Sequence, residues 1–164
     1  MKARKTALST AGKCATETRS GGGAGDGRGR PQRGCGGMAR ILRGEAHQLG
    51  YPSNFTIYDT DDSRSVIKTV VQEMQLDEKT YKPNVVHNRI SAAKNSLIHP
   101  QEYQADAFIQ QEDLRQNRPM LGRIFDAYCQ RCFKNGAMDF DDLLVKMYEL
   151  LRDFPATLHK YQHK

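Results

Sequence analysis

From Met38 to Lys164, apolar residues recur every three or four positions in one segment after another, and proline, glycine and short polar stretches separate the segments. That spacing places the apolar side chains on one face of a helix, whereas half-buried strands need strict alternation. No convincing alternation and no internal repeat is evident. The spacing therefore predicts an all-α fold, an irregular assembly of about five to seven helices.

Caps and breakers locate the first helices. Phe55-Thr56-Ile57-Tyr58 is a short extended piece, after which Asp59 or Thr60 can cap a helix with an acidic first turn. Pro83 fits the first position of the next helix. The residues that we expect to face inward from these two helices are Val66, Ile67, Val70, Val71 and Met74, followed by Val86, Ile90, Ala93 and Leu97.

The later helices are placed in the same way. The segment from Pro100 to Asn117 is polar and is a weaker helix, and a stronger helix follows Pro119 and ends at Gly136 as a glycine C-cap. Its expected inward residues are Met120, Leu121, Ile124, Phe125, Tyr128 and Phe133. A short helix is expected after Pro155.

The segment Asp139-Phe140-Asp141-Asp142-Leu143 carries three carboxylates, which could hold a metal ion or share a proton if they converged. Neighbouring side chains on a helix diverge by about 100° per residue, so Asp141 and Asp142 point apart. We therefore expect Asp139 to open a helix and the acids to serve its cap and dipole. The stripe expected to face inward from this helix is Leu144, Met147, Tyr148 and Leu151.

The charge is unevenly distributed. Residues 1–37 contain ten glycines, eight of the 25 basic residues and two of the 19 acidic residues, which leaves seventeen of each in residues 38–164. The net charge of +6 therefore belongs to the first 37 residues. Such a Gly/Arg-rich segment buries too little apolar surface to order itself, so we expect a disordered tail, a phosphate-binding arm, or an artefact of start-site or reading-frame choice. The abrupt change at Met38 favours the artefact.

The sequence pattern for a zinc site is weak, and that for a phosphate-binding loop is absent. Cys129 and Cys132 with His159 and His163 have zinc-like local spacing, but the interval between the pairs is long and both cysteines lie on an apolar stripe, which favours core packing. A phosphate loop of the type G-x-x-x-x-G-K-[ST] is absent. No apolar run is long enough to span a membrane and no secretory signal is evident, so a cytoplasmic location is expected, without a membrane partner.

A series of short segments, in order, resembles one part of the UvrD/PcrA/Rep-type superfamily 1 DNA helicases. They are Arg40-Ile41-Leu42-Arg43, Asn54-Phe55-Thr56-Ile57-Tyr58-Asp59, Ile90-Ser91-Ala92-Ala93-Lys94-Asn95, the Tyr128-containing helix, Asp139-Phe140-Asp141-Asp142-Leu143-Leu144 and Tyr161-Gln162. In that family the matching part is the helical subdomain 1B, inserted in the ATP-binding motor domain. The resemblance covers residues 38–164, and the domain boundary is expected at residue 38.

The resemblance implies a parent protein that couples ATP hydrolysis, with Mg, to movement on single-stranded DNA and unwinding of duplex. It also implies DNA and the remainder of the motor domains as partners. Subdomain 1B lines part of the DNA path in this family, and the residues expected to face DNA are Lys94, Asn95, Arg89 and Lys79. So few cations predict weak, salt-dependent binding.

The chain departs from the family where the catalytic parts should lie. The family's threonine-phenylalanine-histidine motif is replaced by Gly34-Cys35-Gly36-Gly37-Met38-Ala39, and the Walker loop, the Asp-Glu strand and the arginine finger are not found. We therefore expect a helicase fragment with no catalytic or cofactor-binding residues and no ATPase activity alone. Two alternatives remain. One is a free-standing helical module that binds DNA or a helicase, and the other is a helical domain that a bound zinc ion stabilises.

Overall fold

Residues 35–162 are described by the structure, which is a computed structural model. Residues 1–34, which contain nearly all of the predicted tail, and His163 lie outside the described residues. Within residues 35–162 the chain forms eight α-helices, one 3-10 helix and two short strands. They are α1 (Cys35–Glu45), the 3-10 helix (Ala46–Leu49), β1 (Thr56–Tyr58), α2 (Thr60–Glu73), α3 (Pro83–Asn95), α4 (Pro100–Ala105), α5 (Ala107–Arg115), α6 (Leu121–Lys134), β2 (Ala137–Asp139), α7 (Phe140–Asp153) and α8 (Pro155–Gln162).

The predicted all-α class is confirmed, with one more helix than the upper expectation because the polar segment after His99 divides. Asp106 interrupts it, and its side chain accepts hydrogen bonds from the Phe108 and Ile109 amides, so α4 ends and α5 begins at this residue. The predicted glycine C-cap is also confirmed. Gly136 has a φ of +60°, and its amide donates to the Phe133 carbonyl at 3.0 Å, which ends α6.

The two strands are parallel, and Thr56, Ile57 and Tyr58 lie opposite Ala137, Met138 and Asp139. The extended piece at β1 was predicted, whereas β2 was not, because three residues are too few to show an alternating pattern. Each strand leads directly into a helix, β1 into α2 and β2 into α7. This pairing brings the N-termini of α2 and α7 to the same end of the small sheet.

The described residues form two apolar cores. The first is built mainly from α2, α3 and α6, and the second from α1, β2 and α7. The buried members of the first core are Ile67, Val70, Val71, Tyr81, Val86, Ile90, Ala93, Tyr103, Leu121, Ile124, Phe125, Tyr128 and Cys132. Those of the second are Leu42, Ala46, Tyr51, Phe55, Met138, Leu143 and Leu150.

The inward face predicted for α7 is wrong at two of its four positions. Leu144 and Tyr148 are 48% and 45% exposed, whereas Leu143 and Leu150 are fully buried. This helix carries apolar residues on two faces, and helical spacing alone does not say which of them meets the core. Phe140, Leu144 and Tyr148 therefore form an exposed apolar stripe along α7.

Two other positions differ from the expected core. Leu97 is 39% exposed because α3 ends at Asn95 and Leu97 itself adopts a left-handed φ of +55°, so helical spacing no longer applies to it. Phe133 is 52% exposed, although its ring packs edge-on against Tyr51 with centroids 4.9 Å apart. Both residues border the core instead of filling it.

Candidate functional site

Helices α2 and α7 begin with the same four-residue pattern, Asp-x-Asp-Asp. In α2, Asp59 accepts a hydrogen bond from the Asp62 amide at 2.8 Å, and Asp62 accepts one from the Asp59 amide at 3.3 Å. In α7, Asp139 and Asp142 form the same reciprocal pair at 2.7 and 3.3 Å. The predicted capping role of Asp139 is therefore confirmed, in the form of a capping box.

The two capping boxes differ in their surroundings. The Asp59 pair is exposed, whereas Asp139 and Asp142 are buried, at 4% and 7% exposure. A buried carboxylate is costly unless it is paired with a cation or hydrogen bond donors. The second box therefore needs a partner that the first does not need.

Lys94, near the C-terminal end of α3, is that partner. Its Nζ donates to Asp139 Oδ2 at 2.6 Å and to Asp142 Oδ1 at 2.8 Å, and its side chain is 4% exposed. The carboxylates that we expected to diverge are Asp141 and Asp142. The pair that converges is Asp139 and Asp142, three positions apart, where a capping box holds both carboxyl groups near one point.

Tyr128 from α6 completes the centre. Its hydroxyl donates to Asp139 Oδ2 at 2.8 Å, and its ring centroid lies 4.9 Å from Lys94 Nζ, within the range of a cation–π contact. Lys94 and Tyr128 lie on helices that build the first core, whereas Asp139 and Asp142 lie at the start of α7, a helix that builds the second. The Lys94 centre, meaning Lys94, Tyr128, Asp139 and Asp142, thus joins the two cores through charged hydrogen bonds.

Protonation states follow from this geometry. Burial alone would lower the pKa of Lys94, but the adjacent Asp142 and Asp139 outweigh burial and raise it, so the ammonium stays charged. Burial opposes ionisation of Asp139, yet Lys94 and the other donors lower the pKa of that carboxyl below its ordinary value. The pKa of Asp142 is raised, by burial first and then by the charge of Asp139.

This arrangement is suited to holding α3 and α7 together and not to binding Mg²⁺. Both carboxylates face an ammonium, which would repel a metal cation, and each accepts a backbone amide as well. Across residues 35–162, no group of three or more His, Cys, Asp or Glu side chains is placed to hold a metal ion. We therefore assign the Lys94 centre a positioning role.

The structure places the residues predicted to face DNA in different environments. Lys94 is inside the protein, so the expectation that it faces outward is not met. Asn95, the next residue, is exposed, and its Nδ2 donates to Asp141 Oδ1 at 3.3 Å. Lys79 is exposed in the loop between α2 and α3.

Arg89 is held by its neighbours. It donates from Nη2 to Asp113 Oδ1 and from Nε to the Tyr103 hydroxyl, both at 3.0 Å, and Tyr103 in turn donates to Asp113 Oδ2 at 2.6 Å. Asp113 is fully buried. This triad ties α3 to α4 and α5, and sequence reasoning missed it because Asp113 and Tyr103 lie in the polar segment that showed no clear stripe.

The cysteines pack as expected from the apolar stripe. Cys132 is buried in the first core and Cys129 packs against that core. Burial raises the pKa of each thiol to about 12. His159 is exposed on α8, and His163 lies outside the described residues. None of the helices in residues 35–162 is both long and apolar enough to cross a membrane.

Comparison with known proteins identifies the family. The UvrD/REP helicase N-terminal domain model matches residues 37–164. The chain is 36% identical over 125 residues to the ATP-dependent DNA helicase PcrA of Staphylococcus epidermidis, and 37% identical over 125 residues to PcrA of Staphylococcus aureus strain Mu50. It is also 36% identical over 126 residues to the ATP-dependent DNA helicase UvrD1 of Mycobacterium leprae.

Each of these alignments covers 76% of this chain, and the chain spans 16% of the length of each relative. The family model covers the same part of the chain, residues 38–164, over which the sequence resemblance was found. Two of the segments that carry that resemblance, Ile90–Asn95 and Asp139–Leu144, meet at the Lys94 centre. The chain belongs to the UvrD/REP helicase family, within the N-terminal domain of that family.

Proposed function

We propose that this chain is the helical subdomain 1B part of an ATP-dependent DNA helicase, and that it contributes DNA contacts to the intact motor. The observation that carries the proposal is the family match over residues 37–164, with relatives named as ATP-dependent DNA helicases. The helical architecture and the order of the resembling segments support the assignment to subdomain 1B. The remainder of the motor domains would then be its partner.

The exposed stripe of α7 supports such a partner. Phe140, Leu144 and Tyr148 expose about half of their surface along one side of the helix. An exposed apolar patch of this kind is typical of a surface that another protein segment covers. Packing against other parts of the helicase would remove it from water.

We propose further that this chain alone does not hydrolyse ATP. Its 164 residues contain no G-x-x-x-x-G-K-[ST] loop, which supplies the amides and the lysine that hold nucleotide phosphates. ATP and Mg are assigned to the intact helicase and to no residue of this chain. The test is phosphate release by purified protein with Mg²⁺, ATP and single-stranded DNA, for which the proposal predicts no turnover above a no-protein blank. Magnesium-dependent turnover that co-purifies with the chain would refute it.

Lys79 and Asn95 are the direct DNA contacts that we propose. Both side chains are exposed, and Asn95 follows the residue that anchors α3, so its position is fixed by the Lys94 centre. Arg89 is one-third exposed and could reach a phosphate only with the part of its guanidinium that Asp113 leaves free. Lys94 acts through Asn95 and not by touching DNA.

The experiment is fluorescence anisotropy with labelled single-stranded DNA at 50 and 200 mM salt. Lys79→Ala is expected to weaken binding and to reduce the slope of log affinity against log salt by about 0.7, the value for one lost phosphate contact. Lys134→Ala, which removes an exposed cation at the end of α6, is the matched control and should change little. Equal effects of the two variants would contradict the assignment of Lys79.

A free-standing module that binds DNA or a helicase is the alternative, and the two apolar cores that the chain forms within residues 35–162 favour it. The two proposals predict different DNA binding by a chain that lacks the basic N-terminal segment. A version that starts at Met38 should bind DNA with micromolar affinity if the module acts alone. Weak binding that becomes strong only together with the other motor domains would favour the helicase-subdomain proposal.

A further inference from the structure

Asn135 and Gly136 form the junction between the end of α6 and the start of β2. An asparagine loses its side-chain amide most readily when glycine follows, because glycine leaves the next backbone nitrogen unhindered. The chain has six asparagines, and the other five precede residues that carry a side chain. The junction therefore contains the asparagine whose sequence context is the most reactive.

The fold requires glycine at position 136. Its φ of +60° lies in the left-handed region, which a residue with a side chain adopts at a cost. A Cβ at this position would also lie 3.1 Å from Pro52 Cγ, which is closer than side chains ordinarily pack. A residue that would slow the reaction is thus disfavoured at position 136, and the reactive pair is part of the fold.

The side chain of Asn135 is accessible. It is exposed, and its one side-chain contact within residues 35–162 is the Tyr58 hydroxyl, to which Nδ2 donates at 3.3 Å. That contact lies at the surface and is longer than a typical N–H···O hydrogen bond. The side-chain amide can therefore turn once the backbone allows it.

The backbone of the folded chain holds the reaction back. Asn135 has a ψ of 0°, and the Gly136 amide donates to the Phe133 carbonyl at 3.0 Å. Ring closure brings the Gly136 nitrogen into one plane with Cβ and Cγ of Asn135, so that ψ must rotate far from 0° and the amide must leave Phe133. Helix ends open more readily than helix interiors. Opening of the α6 C-cap is thus the step that admits the reaction.

We propose that Asn135 is a modification site, at which asparagine is converted to aspartate and isoaspartate when the α6 C-cap opens. Hydroxide removes the Gly136 amide proton, the nitrogen attacks Asn135 Cγ, and the Cγ–Nδ2 bond breaks. The departing nitrogen takes a proton from water and leaves as ammonia. Water then opens the five-membered imide. Attack at Cγ gives aspartate, and attack at the main-chain carbon gives isoaspartate, in which the chain continues through Cγ.

Isoaspartate at position 135 would disturb the small sheet. It adds one carbon, about 1.5 Å, to the main chain directly before Gly136, whose carbonyl accepts a hydrogen bond from the Thr56 amide at 3.0 Å. The register of β2 on β1, and with it the position of Asp139, follows from this point. Aspartate brings the same charge without the longer backbone. This inference does not rest on the proposed helicase function.

The first test ages the full chain at pH 8 and maps its peptides by mass spectrometry and chromatography that separate asparagine, aspartate and isoaspartate. Asn135 should be modified before the other five asparagines, and about tenfold or more slowly in the folded chain than in guanidinium chloride. Asn135→Gln should remain unmodified at this position. Modification of Asn135 no sooner than that of the other asparagines, or equally fast in the folded and unfolded chain, would overturn the proposal.

Two variants of matched cost test whether the C-cap is the gate. Lys134→Gly loosens the last turn of α6 and should raise the rate by about threefold to fivefold over Lys134→Ala. Ile67→Val trims a fully buried side chain on α2, with a comparable loss of global stability, and should leave the rate unchanged. Equal rates in all three variants, or equal acceleration by Lys134→Gly and Ile67→Val, would contradict gating by the C-cap.

The last test compares the two products. The isoaspartate-containing fraction of the aged chain, separated by ion exchange, should melt about 3 °C or more below Asn135→Asp, which carries the same charge on a normal backbone. Asn135→Asp itself should melt close to the unmodified chain. Equal melting of the isoaspartate fraction and Asn135→Asp would overturn the assigned effect on the sheet.

Discussion

Lys94 Nζ lies 2.6 Å from Asp139 Oδ2, although the two residues are 45 positions apart in the chain. Lys94 lies near the end of α3 and Asp139 caps the start of α7, so the contact joins the two apolar cores at their boundary. Both residues are at most 5% exposed in their side chains. The stability of the folded chain should therefore depend on this pair far more than on a surface ion pair.

Replacing Asp139 by asparagine tests the buried capping box. Asparagine caps a helix about as well as aspartate, so Asp139→Asn removes charge while keeping the cap. We expect the free energy of unfolding to fall by about 1–3 kcal/mol, because a charged hydrogen bond in the interior is lost. Urea unfolding followed by circular dichroism measures this difference.

Asp59→Asn is the matched control, since Asp59 forms the same capping box at the surface. Its effect on the free energy of unfolding should stay within about 0.5 kcal/mol. A loss of unfolding free energy as large as that of Asp139→Asn would mean that the charge of the capping residue, and not the contact with Lys94, stabilises the chain.

The cost of Asp139→Asn should depend on pH. The pKa of Asp139 is lowered in the folded state, so its contribution is present above its ordinary value near 3.8 and is lost as pH falls through the folded pKa. The difference in unfolding free energy between the wild type and Asp139→Asn should thus shrink as the pH falls below about 4. Urea unfolding at a series of pH values is the measurement, and a difference that stays the same or grows below about pH 4 would contradict this account.

Asp142→Asn should cost less than Asp139→Asn at pH 7. The pKa of Asp142 is raised, so its ionised form is less favourable in the folded than in the unfolded state, and the substitution also relieves its repulsion from Asp139. The same urea unfolding experiment compares the two variants. The reverse order of losses would show that Asp142 is the main partner of Lys94.

The thiols of Cys129 and Cys132 should react slowly in the folded protein. Burial raises the pKa of both to about 12, so little thiolate is present at pH 8. Pulse alkylation followed by peptide mass spectrometry should label these two cysteines at the rate at which the chain unfolds. Chelator should leave both the labelling rate and the thermal midpoint unchanged, and a drop in midpoint on adding chelator would restore the zinc hypothesis.

The two faces of α7 should respond differently to substitution. Leu143→Ala removes a fully buried side chain and should cost about 2–5 kcal/mol of unfolding free energy. Leu144→Gln changes a half-exposed neighbour and should cost less than about 1 kcal/mol. Thermal or urea melts of the two variants measure both effects, and equal losses would show that the outer stripe packs within this chain.

The helices could be predicted from sequence because their caps are local. Asp59, Pro83, Asp139 and Gly136 act within a few residues of their own positions, which spacing and residue type reveal. The Lys94 centre could not be predicted in this way. Lys94 is an ordinary lysine in sequence, and its burial is decided by carboxylates that lie far away along the chain.

The resemblance to a known family singled out the two segments that meet at the Lys94 centre. Helical spacing alone does not link them. Ile90–Asn95 and Asp139–Leu144 were picked out as separate segments in a fixed order, and the structure shows that they contact each other. The exposure of the Leu144 and Tyr148 side chains was not predicted, because α7 carries apolar residues on two faces. The β2 strand was missed because it has only three residues.

A double-mutant cycle between Lys94 and Asp139 tests the central claim most directly. Lys94→Met, Asp139→Asn and the double variant are compared with the wild type by urea unfolding at pH 7, with Lys94→Met and Asp59→Asn as the parallel cycle. The account predicts a coupling free energy of about 1–3 kcal/mol for Lys94 with Asp139 and less than about 0.5 kcal/mol for Lys94 with Asp59. A Lys94–Asp139 coupling below about 0.5 kcal/mol would contradict it.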